Sequence, residues 1–171
     1  MVLFASFRTI KAQALVVEIG DVSEVSGYAQ IKRNEEPIDA DVKLIIQSND
    51  EAVTTNGRMA ITFLDDSTVK LTEHSQLTID EYIYDPDPSK SKMALTFGLG
   101  TARFITGQLG KIDNRNIALK TPTANIAIRG TDFTATVDEL GRSLIILLPD
   151  KYGVSSGEIE VLTAKGSVLI N

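Results

Sequence analysis

The stretch TPTANIAIRGTDFTATV (residues 121–137) packs a proline, a glycine, an arginine and an aspartate between two apolar runs. Pro122 fixes its own φ and supplies no ladder N–H, so KTPTA ends a strand or lies at a sheet edge. Ile126 and Ile128 then share one face and turn inward, while small Ala124 and Ala127 permit close packing on the other side. Gly130 can take positive φ or let another backbone approach, which predicts a sharp bend between two strands. Arg129 offers five donors in a rigid fork, suited to a carboxylate such as Asp132 or to a row of turn carbonyls. The expectation is a structural corner made of Thr121, Pro122, Arg129, Gly130, Thr131 and Asp132, with an anion or partner-carboxylate site as the functional alternative. If the guanidinium is a buried, paired clamp, truncating it to Ala costs ~3–5 kcal/mol.

Working outward, period-two alternation dominates the chain from residue 16: Met59-Ile61-Phe63, Val69-Leu71, Leu77-Ile79, Phe133-Ala135-Val137, Leu144-Ile146-Leu148, Ile159-Val161 and Val168-Ile170. The runs ITF, VKL and LTI begin at 61, 69 and 77, and short strands at such spacing suggest a sandwich, barrel or solenoid. The spacing does not persist as a regular repeat, so a solenoid would be irregular. The fold class is therefore all-β, an irregular twisted β-solenoid-like or β-sandwich-like single domain. Pro86 and Pro88 in DEYIYDPDPSKSK predict a protruding loop at 84–92.

Composition narrows function. The 171 residues are 43% apolar, enough for one ordinary core, and contain no cysteine, which excludes disulfides, thiolate nucleophiles and cysteine metal sites. A net charge of −6 with no tryptophan argues against nucleic acid, whose phosphates call for clustered Lys and Arg. No run approaches the ~18 apolar residues of a membrane span. In residues 1–16 the apolar run precedes Arg8 and Lys11, reversing the charge order of a secretory signal. That segment is read as a docking arm, a short helix or a leader remnant.

His74 is the sole histidine and sits in a polar turn, so histidine-based acid–base chemistry has little to build on. Asp65 and Asp66 in FLDDST, and Asp80, Glu81, Asp85 and Asp87, lack the spaced acids and turn glycine of an EF-hand loop. Asp65, Asp66 and Ser67 are expected to serve a hairpin turn, accepting nearby backbone N–H groups. No catalytic residue, metal or cofactor is expected, and the chain is read as no enzyme.

These motifs resemble the FecR-type domain, an all-β module named after a bacterial iron-transport regulator. The resemblance covers most of residues 20–170, and the domain is placed at 17–171. TPTANIAIRGTDFTATV is similar to the family's Thr-Pro pair, short strand and Arg-Gly-Thr-x-Phe. NDEAVTTNGRMAITFLDDSTVKLTEHSQLTID resembles a second family stretch, with Asp66 where glycine is usual, so that Asp must reach positive φ. The family's ending is altered by an insertion around Pro149 to Ser156.

The resemblance implies a non-catalytic, extracytoplasmic protein-interaction scaffold, in the periplasm or at the cell surface. Its partner would be a protein, with copies of itself included. Open strand edges would serve as docking sites, since unpaired N–H and C=O groups accept a partner strand. Alternatives are a structural component of a phage virion, tail or capsid-associated, and a calcium- or carbohydrate-binding module using the 84–92 loop.

Overall fold

The computed structural model describes residues 17–111 and 116–171; the expectation for residues 1–16 lies outside them. The alternating runs form β1 (Gly20–Ser26), β2 (Ala29–Arg33), β3 (Glu36–Asp39), β4 (Ile45–Ile46), β5 (Glu51–Thr54), β6 (Arg58–Phe63), β7 (Thr68–Leu71) and β8 (Gln76–Ile83). They continue as β9 (Lys92–Ile105), β10 (Ile117–Lys120), β11 (Asn125–Arg129), β12 (Asp132–Val137), β13 (Ser143–Leu147), β14 (Glu158–Thr163) and β15 (Gly166–Ile170). Two short 3-10 turns, Pro88–Lys90 and Leu109–Lys111, are the only helical elements among the described residues.

All fifteen strands join in one open hydrogen-bonded sheet, and β9 folds that sheet into two layers. Its first part pairs with β8 and, in parallel, with β10; its second part pairs with β7 and β12. The first layer runs β4-β1-β6-β7-β9-β12-β13 and the second β3-β2-β5-β8-β9-β10-β11-β14-β15. The fold is all-β, and successive strands alternate irregularly between layers instead of stacking as a repeat. Gly100 marks the bend, with φ of 94°, and a Cβ there would lie 2.2 Å from Ser75 Oγ.

The inward residues of both layers make one continuous core. Phe97 and Phe104, on either side of the β9 bend, meet edge to face at 5.9 Å, and Phe104 stacks on Phe133 at 5.0 Å. Aromatic pairing of this kind adds specific geometry to area burial. Phe63 of the first layer stacks on Tyr82 of the second at 5.3 Å, locking the layers at another point.

Two buried carboxylates tie loops into this core. Asp50 receives Arg33 in a bidentate pair, Nε at 2.8 Å and Nη2 at 2.7 Å, and the N–H of Gln47 at 2.9 Å. Asp65, fully buried in the β6–β7 turn, accepts from Ser67 Oγ at 2.7 Å, Leu109 N–H at 3.1 Å and Tyr82 O–H at 3.1 Å. The Tyr82 oxygen in turn accepts the Asp65 N–H at 3.0 Å. Every polar side-chain atom buried in the described residues has a partner, as the cost of an unsatisfied buried group requires.

Burial, followed by the negative charge of Asp65, raises the Tyr82 phenol far above its ordinary value. The folded chain holds that proton more tightly than the unfolded chain, whose tyrosines titrate near 10. Stability from Tyr82 is therefore complete below about pH 10 and lost progressively above it. Tyr82→Phe is expected to cost roughly 1–3 kcal/mol at pH 7, by stripping partners from buried Asp65. It should also flatten the alkaline loss seen in urea unfolding between pH 9 and 11; an unchanged alkaline slope would contradict this assignment.

Candidate partner interface

The 121–137 stretch comprises a hairpin and a layer crossing. Residues 121–124 form the turn between β10 and β11, pinned by buried Thr121, whose N–H donates to the Ala124 carbonyl at 2.9 Å and whose Oγ1 accepts the Ala124 N–H at 3.1 Å. Ser143 Oγ donates to Thr121 Oγ1 at 2.8 Å, and Thr123 Oγ1 donates to the Gly141 carbonyl at 3.2 Å. The turn of one layer is thereby stitched to the β12–β13 turn of the other, with exposed Pro122 lying against Gly141.

At Gly130, φ 52°, the chain leaves β11 in the second layer and enters β12 in the first. The expected Arg129–Asp132 clamp is corrected here. Ile126 and Ile128 are buried, so Arg129 falls on the outer face of the second layer, exposed and in register with Glu158. Asp132 emerges on the outer face of the other layer, where Arg103 of β9 grips both its oxygens, Nε at 2.8 Å. Side chains that alternate across two different layers cannot meet across the crossing.

Buried Thr131 holds the corner instead. Its N–H donates to Thr106 Oγ1 at 2.8 Å and its carbonyl accepts the Thr106 N–H at 3.1 Å. Ser156 Oγ accepts the Asp132 N–H and donates to the Asp132 carbonyl, both at 3.1 Å. Gly157 passes so close that a Cβ would lie 2.1 Å from the Gly130 carbonyl oxygen. The 149–156 insertion thus ends by bracing the corner.

In the hairpin turn, Asp65 and Ser67 are buried and bonded to each other, while Asp66 takes φ 66° and offers its carboxylate to Gln108 Nε2 at 3.1 Å. His74 is exposed in a turn with φ 55°, its N–H donated to the Thr55 carbonyl at 3.0 Å. In the 84–92 loop, Asp85 accepts the Asp87 N–H, and Asp87 accepts the Ser89 N–H and hydroxyl. Those bonds hold the Asp87 carboxyl below the usual carboxylate range. Among the described residues no three His, Cys, Asp or Glu are grouped to hold a metal.

A groove of about 400 Å³ on the outer face of the first layer is lined by Arg58, Lys70 and Arg103 over Ala60. Each cation already faces an acid: Glu73 at 3.4 Å, Glu24 at 3.2 Å and Asp132. The groove carries balanced charge.

The sheet edges differ more sharply. One flank is closed off: β3 carries Pro37 with Glu36 and Asp39, and β4 has only two residues, both ways of blunting an edge. The other flank, formed by β13 (SLIIL) and β15 (GSVLI), contains no charge and no proline. Leu144 is 58% exposed, Ile146 47%, Val168 62% and Leu169 55%. Between these edges Ile145, Leu147, Pro149 and Ile170 line a groove of about 470 Å³ into the partly covered end of the core. Sequence reasoning named open edges in general but not this pair, since which strand is outermost depends on pairing order. The uncharged runs at 143–147 and 166–170 were the available signal.

Comparison with known protein families matches residues 50–169 to the family described as FecR protein. No curated protein matches the chain. Among solved structures, a crystal structure of a candidate anti-sigma factor from Parabacteroides distasonis is similar in fold, with a TM-score of 0.51 and 13% identity. The similarity covers 69% of this chain and 49% of that one, so the matched fold spans about half of that protein. Among the described residues no helix is long and apolar enough to cross a membrane.

The braced corner separates three substitutions. Gly157→Ala is expected to unfold the corner and lower the melting temperature markedly, because backbone must move to admit the methyl group. Gly153→Ala, at φ 77° with open space around it, carries backbone strain alone, about 1–2 kcal/mol. Arg129→Ala, on the surface, is expected to change stability by roughly 0.5 kcal/mol or less. Thermal melts of the three variants check the order, and a large loss at Arg129 would restore the clamp.

Proposed function

The chain belongs to the FecR protein family, and from that premise we propose that it is a non-catalytic interaction module of an envelope signalling or surface assembly, in the periplasm or at the cell surface. The observation that carries the reading is the β13/β15 flank, two adjacent uncharged edges with exposed Leu144, Ile146, Val168 and Leu169. A partner strand laid along β13 gains main-chain hydrogen bonds, and its side chains cover the apolar row. The rest of the surface supports the same reading. The lone histidine is a turn residue, the 84–92 carboxylates are engaged by their own loop, and the outer groove is charge-balanced. The Parabacteroides likeness supports a regulatory setting, in which the partner is a receptor or regulator of a sigma factor.

Binding of the receptor and sigma-factor regions encoded beside this chain, followed by calorimetry, tests the proposal. Ile146→Lys is expected to weaken the cognate pair at least ~tenfold, which is about 1.4 kcal/mol. Its melting curve should stay near that of the parent, because the side chain is half exposed. Undiminished binding by Ile146→Lys would remove the flank from the interface. Hydrolytic turnover lost in His74→Ala would overturn the non-catalytic reading.

A further inference from the structure

We propose that the occupant of the β13/β15 flank is a second copy of this chain, β13 running antiparallel to the β13 of its neighbour. This rests on the docking-flank reading above and names its partner. Antiparallel pairing of identical edges requires a two-fold axis normal to the sheet. The edges of both layers lie side by side here, since β13 and β15 residues line one groove. One axis through both layers therefore brings β13 against β13 and β15 against β15 together. The product is a continuous two-layer sandwich with the groove closed between the copies.

Several features suit self-pairing better than a charged partner. Neither Ser143–Leu147 nor Gly166–Ile170 contains a charged residue, so no like charges are set opposite each other across the axis. Arg142 precedes β13 and Asp150 follows it, so an antiparallel neighbour sets Arg142 of each copy beside Asp150 of the other. The outer rows Leu144 and Ile146 become a continuous apolar stripe. The opposite flank, blunted by Pro37 and the two-residue β4, cannot extend the assembly into a fibre. Closure at two copies follows.

Two five-residue edges make a small interface, so association is expected only across roughly 1 µM to 1 mM. Sedimentation of the full chain over that span should show the mass doubling. Ile146→Lys, or Leu144→Lys should the first variant fail to fold, should stay monomeric throughout. The chain has no cysteine, so single cysteines at Leu144 or Ile146, alone or mixed, should form disulfide-linked pairs under mild oxidation. A cysteine at Asp39 on the blunted edge should not. A monomer at every concentration, with Leu144 and Ile146 cysteines linking no faster than Asp39, overturns the second copy. If in that case Ile146→Lys still cuts binding to a heterologous partner, the docking flank stands without self-pairing. A dimer that survives Ile146→Lys and Leu144→Lys places the contact elsewhere and overturns the inference.

Discussion

Strand β9 must satisfy ladder partners in two layers at once, and the remaining architecture accommodates that demand. A strand with fourteen residues in one extended run would make a flat sheet too wide to bury both faces. Bending it at Gly100 sets Phe97 and Phe104 against each other and turns the same run into the hinge of a sandwich. A bend of this kind exposes backbone wherever neighbouring strands stop short. The two buried networks answer that problem. Asp65, Ser67 and Tyr82 collect the N–H groups of the β6–β7 turn and of Leu109 at one end of β9. Thr106 and Thr131 trade bonds where the chain recrosses between layers. These polar side chains replace ladder bonds that the fold cannot make, which is why they are buried and fully partnered.

The alternating runs were legible because period two is a local property. Ile126, Ile128, Phe133, Ala135 and Val137 are all buried on the faces their spacing predicts. The assignment of runs to layers is not local. Arg129 and Asp132 stand three apart with complementary charge, and nothing between them in sequence says that they face solvent on opposite sides of the molecule. Arg103, the actual partner of Asp132, is 29 residues away and becomes its neighbour only through the β9–β12 register. The same holds for Asp65 and Tyr82, which sit 17 residues apart. A carboxylate in a hairpin was readable as a turn acceptor, but its burial beneath a second loop was not.

Edges were the least legible feature and bear most on function. Blunting is chemically visible once an edge is known: EPID, with its proline and acids, resists a partner strand, whereas SLIIL invites one. Without the pairing order, SLIIL reads as one more buried strand. Its outward residues then look like core, when they are surface.

The asymmetry between the two flanks also constrains what kind of protein this is. Exposed aliphatic rows on an unblunted edge favour association with almost any free strand, and a chain that left them open would be prone to aggregate. Blunting on only one flank cannot be attributed to general solubility, because solubility would favour charge on both. The net charge of −6 keeps copies apart at a distance yet places none of its charge within β13 or β15. Long-range repulsion combined with a neutral, apolar contact strip admits partners that align strand to strand and disfavours disordered sticking. In a shared scaffold, where fold alone does not determine activity, such a strip is the part of the molecule whose chemistry can vary while the core stays the same.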